Sequence, residues 1–98
     1  MSAIDDIAAE RDRQVKVEGF GAGRDDGFVH GQLARGAAAF AEFAGESDER
    51  RATAAGAPSI WPWWSLGHWK PKDRRADLVR AGALIVAEIE RLDRAKGA

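Results

Sequence analysis

The sequence lacks cysteine and tyrosine, and it contains only one methionine and three prolines in 98 residues. Without cysteine the chain can form no disulfide framework and use no thiolate chemistry, which fits a reducing compartment. A signal peptide is not expected either, because the first ten residues are acidic and have no apolar core. The longest apolar run, 81–87, is far shorter than the roughly 20 residues that a bilayer requires. These absences predict a cytoplasmic protein that does not enter a membrane.

Large aliphatic side chains and net charge are also scarce. Apolar residues make up 45% of the chain but are largely alanine, and a domain of this length buries only about 60–70% of its unfolded surface. We therefore expect one helical domain over residues 1–98 that completes its core as a homo-oligomer. The formal net charge of −1 argues against a DNA coat protein, which would be basic.

Helical periodicity is what the sequence does contain. It predicts an all-α fold, a small three-helix domain with a Trp/Pro-rich loop before the last helix. Ser2 can cap the first helix, Asp25 or Asp26 the second and Asp73 the third. The expected helices cover about residues 3–17, 28–44 and 74–96, and a polar, flexible connector with one weak helical turn at most covers about 46–59.

The last of these helices carries a coiled-coil-like seam. Its members recur at spacings of four, three, four and three: Leu78, Gly82, Ile85, Ile89 and Leu92. Valines and a leucine widen the apolar stripe on both sides, so that it can contact more than one neighbour. The last helix is therefore expected to be central to the fold and to the interface of a dimer.

The segment 60–75 contains all four tryptophans and two prolines, and it ends with a run of basic residues after the last tryptophan. Tryptophan faces can stack on a nucleobase, which contributes about 1–3 kcal/mol per base, and basic side chains at a helix start can bind phosphate. The same tryptophans can also be a core plug, and the basic residues a solvated helix start. The residues expected to bind a ligand are Trp64, His68, Trp69, Lys70, Lys72, Arg74 and Arg75.

Catalytic patterns are weak by comparison. His30 and His68 are the only histidines, and their separation does not suggest a zinc site. No serine stands in a nucleophile-elbow pattern, and the glycines of 19–27 lack the lysine and the preceding strand of a phosphate-binding loop. We expect no catalytic residue, no metal and no cofactor. Asp25 and Asp26 could bind a divalent ion, but a capping role is the better interpretation.

A family resemblance rests on three motifs: Glu10-Arg11-Asp12-Arg13-Gln14, Asp25-Asp26-Gly27 and the stretch 77–93. In this layout the chain resembles a small phage or prophage protein and is similar to MazG-like all-α nucleoside triphosphate pyrophosphohydrolases. Those enzymes hold magnesium with a Glu-x-x-Glu pair and a Glu-x-x-Asp pair. The corresponding positions here are Gln32, Ala34, Arg35 and Ala38 for the first pair, and Asp77 with Arg80 for the second. The resemblance therefore implies a degenerate relative without a magnesium cage.

A nucleotide-sized pocket without the metal favours binding over turnover. We expect a non-enzymatic phage-type protein that sequesters a phosphate-containing nucleotide signal in the host cytoplasm, as anti-defence sponges do. One alternative is a residual magnesium-dependent pyrophosphohydrolase that uses Asp25, Asp26, Asp77 and Glu88. The other is a protein-interaction module that docks its Trp segment onto a host protein.

Overall fold

The computed structural model describes residues 2–19, 21–63 and 69–97, and all regular structure in these ranges is helical. The helices are α1 (Ala3–Lys16), α2 (Ala22–Asp25), α3 (Gln32–Ala44), α4 (Asp48–Thr53) and α5 (Arg74–Gly97). The predicted all-α class is confirmed. In place of three helices, the described ranges contain three long helices and two short ones. None of the helices described is both long and apolar enough to cross a bilayer.

Helix α1 begins as its sequence suggests. The Ser2 hydroxyl accepts a hydrogen bond from the Asp5 backbone N–H at 3.0 Å, and Asp5 and Asp6 lie in the first turn, where the helix dipole favours acids. The chain leaves the helix through Gly19, whose φ of +73° belongs to the left-handed region. A side chain would be strained there, which explains a glycine at this position.

The second long helix starts later than expected, at Gln32 and not near Phe28. Gly31, with φ of +80°, takes a left-handed conformation immediately before it and breaks the helical path that apolar periodicity alone suggests. Asp25 does not cap α3, because it ends the short helix α2 and is fully buried. The chain therefore makes one extra turn between α1 and α3.

The polar segment after α3 contains helix α4. The Ser47 hydroxyl accepts from the Arg50 backbone N–H at 3.2 Å, and Asp48 and Glu49 occupy the first turn. A cap and two first-turn acids favour a helix start even where no apolar period exists. Position 51 of this helix then carries an arginine that reaches into the body of the protein.

Helix α5 packs on both α1 and α3. Ion pairs join Arg75 to Asp6 and Glu90 to Arg11, so α5 runs in the same direction as α1. Small residues bring these two helices close: a Cβ on Gly82 would lie 2.7 Å from Cδ1 of Ile7. Gly82 therefore packs against Ile7 of α1 in the same chain, and it is not part of an exposed apolar seam on α5.

The core lies between α3 and α5 and is closed by tryptophan. Its buried apolar side chains include Leu33, Phe40 and Leu84, with alanines from both helices beside them. Trp61 is 4% exposed and meets Phe40 edge to face, with ring centroids 5.5 Å apart. In a chain poor in large aliphatic residues, aromatic rings supply the missing core volume.

Candidate ligand-binding site

Three aromatic residues were predicted to bind a ligand: Trp64, His68 and Trp69. Trp64 and His68 lie outside the described residues. Trp69 is half-buried and stacks on Phe40 at a centroid distance of 4.8 Å, with Phe43 and Trp61 at its edges. This ring serves the aromatic core, since its neighbours are core side chains.

The two predicted lysines lie on the surface. Lys70 and Lys72 are exposed, and neither ammonium group has an ion pair with any residue of the described ranges. Their backbones, in contrast, are bound: Arg80 donates to the carbonyl of Lys70, and Arg51 donates to that of Lys72. The segment is held in place while its lysine side chains point to solvent.

The two predicted arginines are occupied by other parts of the chain. Arg75 pairs with Asp6 of α1 at 2.6 Å. Arg74 pairs with Asp48 and donates to the carbonyls of Ala44 and Glu46, the latter at 2.7 Å. Arg74 therefore satisfies carbonyl groups at the carboxyl end of α3, which the helix itself leaves without partners.

Arg51 of α4 also donates to a carbonyl group near the carboxyl end of α3. Its guanidinium donates to the carbonyls of Phe43 and Lys72, both at 2.9 Å, and to Oδ2 of Asp77 at 3.0 Å. The second oxygen of Asp77 accepts from the Lys72 backbone N–H at 2.7 Å. We call Arg51, Arg74, Asp48 and Asp77 the arginine clamp. It fastens the end of α3 to the start of α5, and it gives Arg74 of the basic run partners within the chain.

A cavity lies elsewhere, between α1, α3, α5 and the first two tryptophans, and we call it the aromatic cavity. It has a volume of about 40 Å³, enough for about three water molecules at roughly 10–15 Å³ each. Its lining residues are Glu10, Arg13, Gln14, Glu18, Arg24, Phe28, Leu33, Phe40, Trp61, Trp63, Arg80 and Leu84. Aromatic, aliphatic and charged side chains all contribute to the lining.

The ring of Trp63 is fixed in this wall by its neighbours. Trp61 lies 5.0 Å away and Phe28 5.5 Å away, both edge to face. Gly36 of α3 makes room for the ring, because a Cβ there would lie 2.4 Å from Cζ3 of Trp63. Any side chain at this position would push the ring out of place.

Two buried polar atoms of the cavity lining lack hydrogen-bond partners in the described part of the chain: Oε1 of Gln14 and Nε1 of Trp63. Gln14 is only 4% exposed. Its amide nitrogen donates to Oε2 of Glu10 at 3.3 Å, and since a carboxylate can only accept, this fixes the orientation of the amide. One acceptor and one donor on residues that line the cavity are thus buried without a partner in the described ranges, and leaving such groups unpaired costs free energy.

Charge around the cavity is organised by Glu10 and Arg13. The guanidinium of Arg13 binds Glu10 through two hydrogen bonds of 2.8 and 2.7 Å and pairs with Glu18 at 2.7 Å. Burial acts to raise the pKa of Glu10, but the hydrogen bond and charge of Arg13 with the charge of Arg80 outweigh it and lower that pKa. The hydrogen bonding of the Arg13 guanidinium to the Glu10 carboxylate raises the pKa of Arg13 in turn. Arg24 and Arg80 lie over the rings of Phe28 and Phe40 at 5.9 and 5.7 Å.

The four carboxylates considered for a hydrolase each lie beside an arginine. Asp25 pairs with Arg11 at 2.7 Å, Asp26 with Arg94 at 2.8 Å, and Glu88 with Arg91 at 2.6 Å, while Asp77 belongs to the arginine clamp. Burial raises the pKa of Asp25, although the hydrogen bond and charge of Arg11 oppose this. Within residues 2–19, 21–63 and 69–97, no three histidine, cysteine, aspartate or glutamate side chains are grouped so that they could hold a metal ion.

Sequence reasoning missed Gln14, although it is the buried polar residue that distinguishes the cavity. It stands among Glu10, Arg11, Asp12 and Arg13, where a solvated helix face is the natural interpretation. The available signal is its helical spacing of four and seven from Glu10 and Ile7, which places it on the packed side of α1. Chemically, the arrangement can bind and orient a ligand. Comparison of the chain with protein families, with curated proteins and with solved structures finds no match.

Proposed function

We propose that this is a non-enzymatic binding protein for a nucleotide-like ligand, whose base edge enters the aromatic cavity while its phosphate stays outside. The observation that carries the proposal is the pair of buried, unpartnered atoms in one cavity lining, Oε1 of Gln14 and Nε1 of Trp63. A nucleobase edge presents a donor and an acceptor on a flat ring. Such an edge satisfies both atoms and keeps contact with the aromatic wall.

The size of the cavity limits how a ligand can enter. A volume of about 40 Å³ can hold the few atoms at the edge of a ring, which would displace the water molecules there. The rest of the ring, the sugar and the phosphate must lie at the mouth of the cavity. This favours a ligand that is bound along one edge of its ring. That edge would make the hydrogen bonds that an ordered water could otherwise make.

The charged residues around the mouth suit an anionic tail. Three arginines, Arg13, Arg24 and Arg80, stand against two glutamates, Glu10 and Glu18, so the lining carries a formal charge of 3 − 2 = +1. Because Arg24 and Arg80 lie over aromatic rings, their guanidinium groups already border the place where a base would stack. A phosphate there gains charge-assisted hydrogen bonds.

The wider role in this proposal comes from the sequence. Sequestration of a phosphate-containing nucleotide signal, in the cytoplasm of a host cell and as a phage-type anti-defence function, is the expectation of the resemblance to degenerate MazG-like proteins. Self-association belongs to the same proposal. It is supported by the apolar residues that α5 leaves exposed, Leu78, Ile85, Ile89 and Leu92.

Fluorescence and calorimetric titrations test the binding proposal. We expect one or more members of a panel of nucleoside phosphates and cyclic dinucleotides to quench tryptophan emission, because Trp61 and Trp63 line the cavity. Gln14→Leu keeps a similar volume and removes the acceptor, so it should weaken binding about tenfold, the value of one hydrogen bond to a buried group.

The matched control is the double variant Lys70→Ala with Lys72→Ala, which alters the two exposed lysines predicted from the sequence. The cavity proposal expects it to bind as the wild type does. Loss of binding in the lysine variant, with full binding by Gln14→Leu, would place the ligand at the start of α5 and overturn the cavity. Magnesium-dependent release of pyrophosphate from any triphosphate would overturn the non-enzymatic part of the proposal.

A further inference from the structure

Helix α5 exposes a row of large aliphatic side chains, which we call the α5 face: Leu78, Ile85, Ile89 and Leu92. Each is between 49% and 51% exposed. The row runs for about 21 Å along the helix, at 1.5 Å per residue. Contiguous apolar surface of this kind is uncommon on a monomer and marks an interaction surface.

A shallow groove adjoins the α5 face where α5 meets α3. Its volume is about 250 Å³, and it is lined by Ala34, Ala37, Ala38 and Ala41 of α3 with Ile85 and Ile89 of α5. Glu88, its charged member, is neutralised by Arg91 at 2.6 Å. Alanines beside isoleucines make a surface with both hollows and ridges, which a copy of the same surface can match.

We infer that the α5 face joins two copies of this chain, antiparallel, about a two-fold axis near Ile85. The two ends of the row are symmetric about Ile85, since Leu78 and Leu92 each lie seven residues from it. A two-fold axis at the centre therefore brings Leu78 of one copy onto Leu92 of the other and Ile85 onto its own counterpart. The same apolar layer repeats at both ends, as an isologous interface requires.

Charge at the edge of the face favours the antiparallel arrangement. Arg75 and Asp93 are 18 residues apart, about five full turns, so they lie on the same flank of α5. Pairing about Ile85 places Arg75 of one copy beside Asp93 of the other, twice. Arg75 already binds Asp6, but a guanidinium has further N–H donors for a second carboxylate. Asp93 has no ion pair with any side chain of the described ranges.

A parallel pair would be less favourable. In a parallel, in-register pair every residue of the seam meets its own counterpart. Lys96 is 18 residues from Leu78, or about five full turns, and so continues the α5 face. In a parallel pair Lys96 would therefore face Lys96. Like charges opposed in this way destabilise an interface.

Cysteine cross-linking distinguishes the arrangements cleanly, because the natural chain has no cysteine. Under mild oxidation, Ile85→Cys should form a disulfide-linked dimer. Leu78→Cys and Leu92→Cys should each stay monomeric, whereas a mixture of the two variants should give a linked heterodimer. Val17→Cys, at an exposed residue of α1's end, is the control for chance collisions. Linkage of Leu78→Cys to itself would overturn the antiparallel pairing.

Solution mass tests the interface itself and does not depend on any ligand. Sedimentation over a micromolar to millimolar series should show a dimer for the wild type. Ile85→Glu, at the centre, should weaken association by roughly 30-fold or more, the scale of a hot-spot residue, while helix content stays unchanged. The double variant Arg75→Asp with Asp93→Arg should associate better than Asp93→Arg alone. A wild-type monomer throughout the series, or a dimer that Ile85→Glu leaves intact, would overturn the inference.

Discussion

The protein has two fully buried aspartates, and they have opposite surroundings. Asp77 and Asp25 are both 0% exposed, and each pairs with a largely buried arginine. Both oxygens of Asp77 are bonded, to Arg51 and to the backbone of Lys72. Asp25 bonds Arg11 through Oδ2, and its Oδ1 has no hydrogen-bond partner in the described part of the chain.

The difference extends to the regions around them. In the arginine clamp, guanidinium groups, carboxylates and helix-end carbonyls are matched, which is typical of a structural joint. Around α1, in contrast, Gln14, Asp25 and Trp63 keep unmatched buried atoms. The arginine clamp thus has matched polar groups, whereas the unmatched atoms around α1 mark the region that we propose as a binding site.

The largest expected effect comes from breaking the clamp. Arg51→Ala removes three hydrogen bonds and leaves the Asp77 carboxylate buried with one partner. We expect a loss of about 3 kcal/mol in the free energy of unfolding, the usual cost of leaving a buried charge without its partner. Urea unfolding measures it. The adjacent Arg50→Ala, which removes only an exposed pair with Glu46, should cost less than about 0.5 kcal/mol. Equal losses in the two variants would contradict a structural role for the clamp.

A smaller effect is expected from filling the space that Trp63 uses. Gly36→Ala places a Cβ 2.4 Å from the Trp63 ring, so the ring must move, at a cost of about 1–3 kcal/mol. In the same variant the wavelength of tryptophan emission should shift, and the affinity measured by ligand titration should fall. Gly23→Ala, where a Cβ meets nothing within 4 Å, is the control and should leave both unchanged. Unaltered tryptophan emission from Gly36→Ala would contradict the close packing of the Trp63 ring against Gly36.

The smallest effect concerns the pH dependence contributed by Asp25. Burial raises its pKa above 3.8, so in the pH range just above that value the native state holds a proton that the unfolded state has released. Stability must then fall as pH rises through the raised pKa. Asp25→Asn should flatten this slope and cost no more than about 1 kcal/mol at neutral pH, because the charge that it removes was poorly solvated. Unfolding curves across mildly acidic pH measure both effects. A slope that survives in Asp25→Asn must come from another group.

Much of the local structure could be predicted from sequence because its causes are local. Ser2 caps α1 through a residue three positions away, and the period of α5 depends only on neighbouring turns. The start of α3 could not be predicted, because it depends on the left-handed conformation of Gly31. Apolar periodicity carries no information about that backbone angle.

The candidate site was less accessible to sequence reasoning. A cluster of basic residues and tryptophans in 60–75 predicted a ligand surface there, but a basic cluster does not reveal its partners. Arg74 finds Asp48, 26 residues away, and Arg75 finds Asp6, 69 residues away. Among the described residues of that segment, only Trp61 and Trp63 line the aromatic cavity, together with α1 residues that the sequence presented as a charged helix face.

The amino-acid sequence alone established that the chain is helical and that α5 has an apolar seam, because helix capping and periodicity act within a few residues. It also determined the scarcity of large aliphatic side chains, which made tryptophan part of the core. The tertiary structure alone decided which arginines are neutralised and which buried polar atoms remain unmatched. Those outcomes depend on pairs far apart in the chain, and in a low-dielectric interior a missing partner is what separates a structural joint from a candidate binding site.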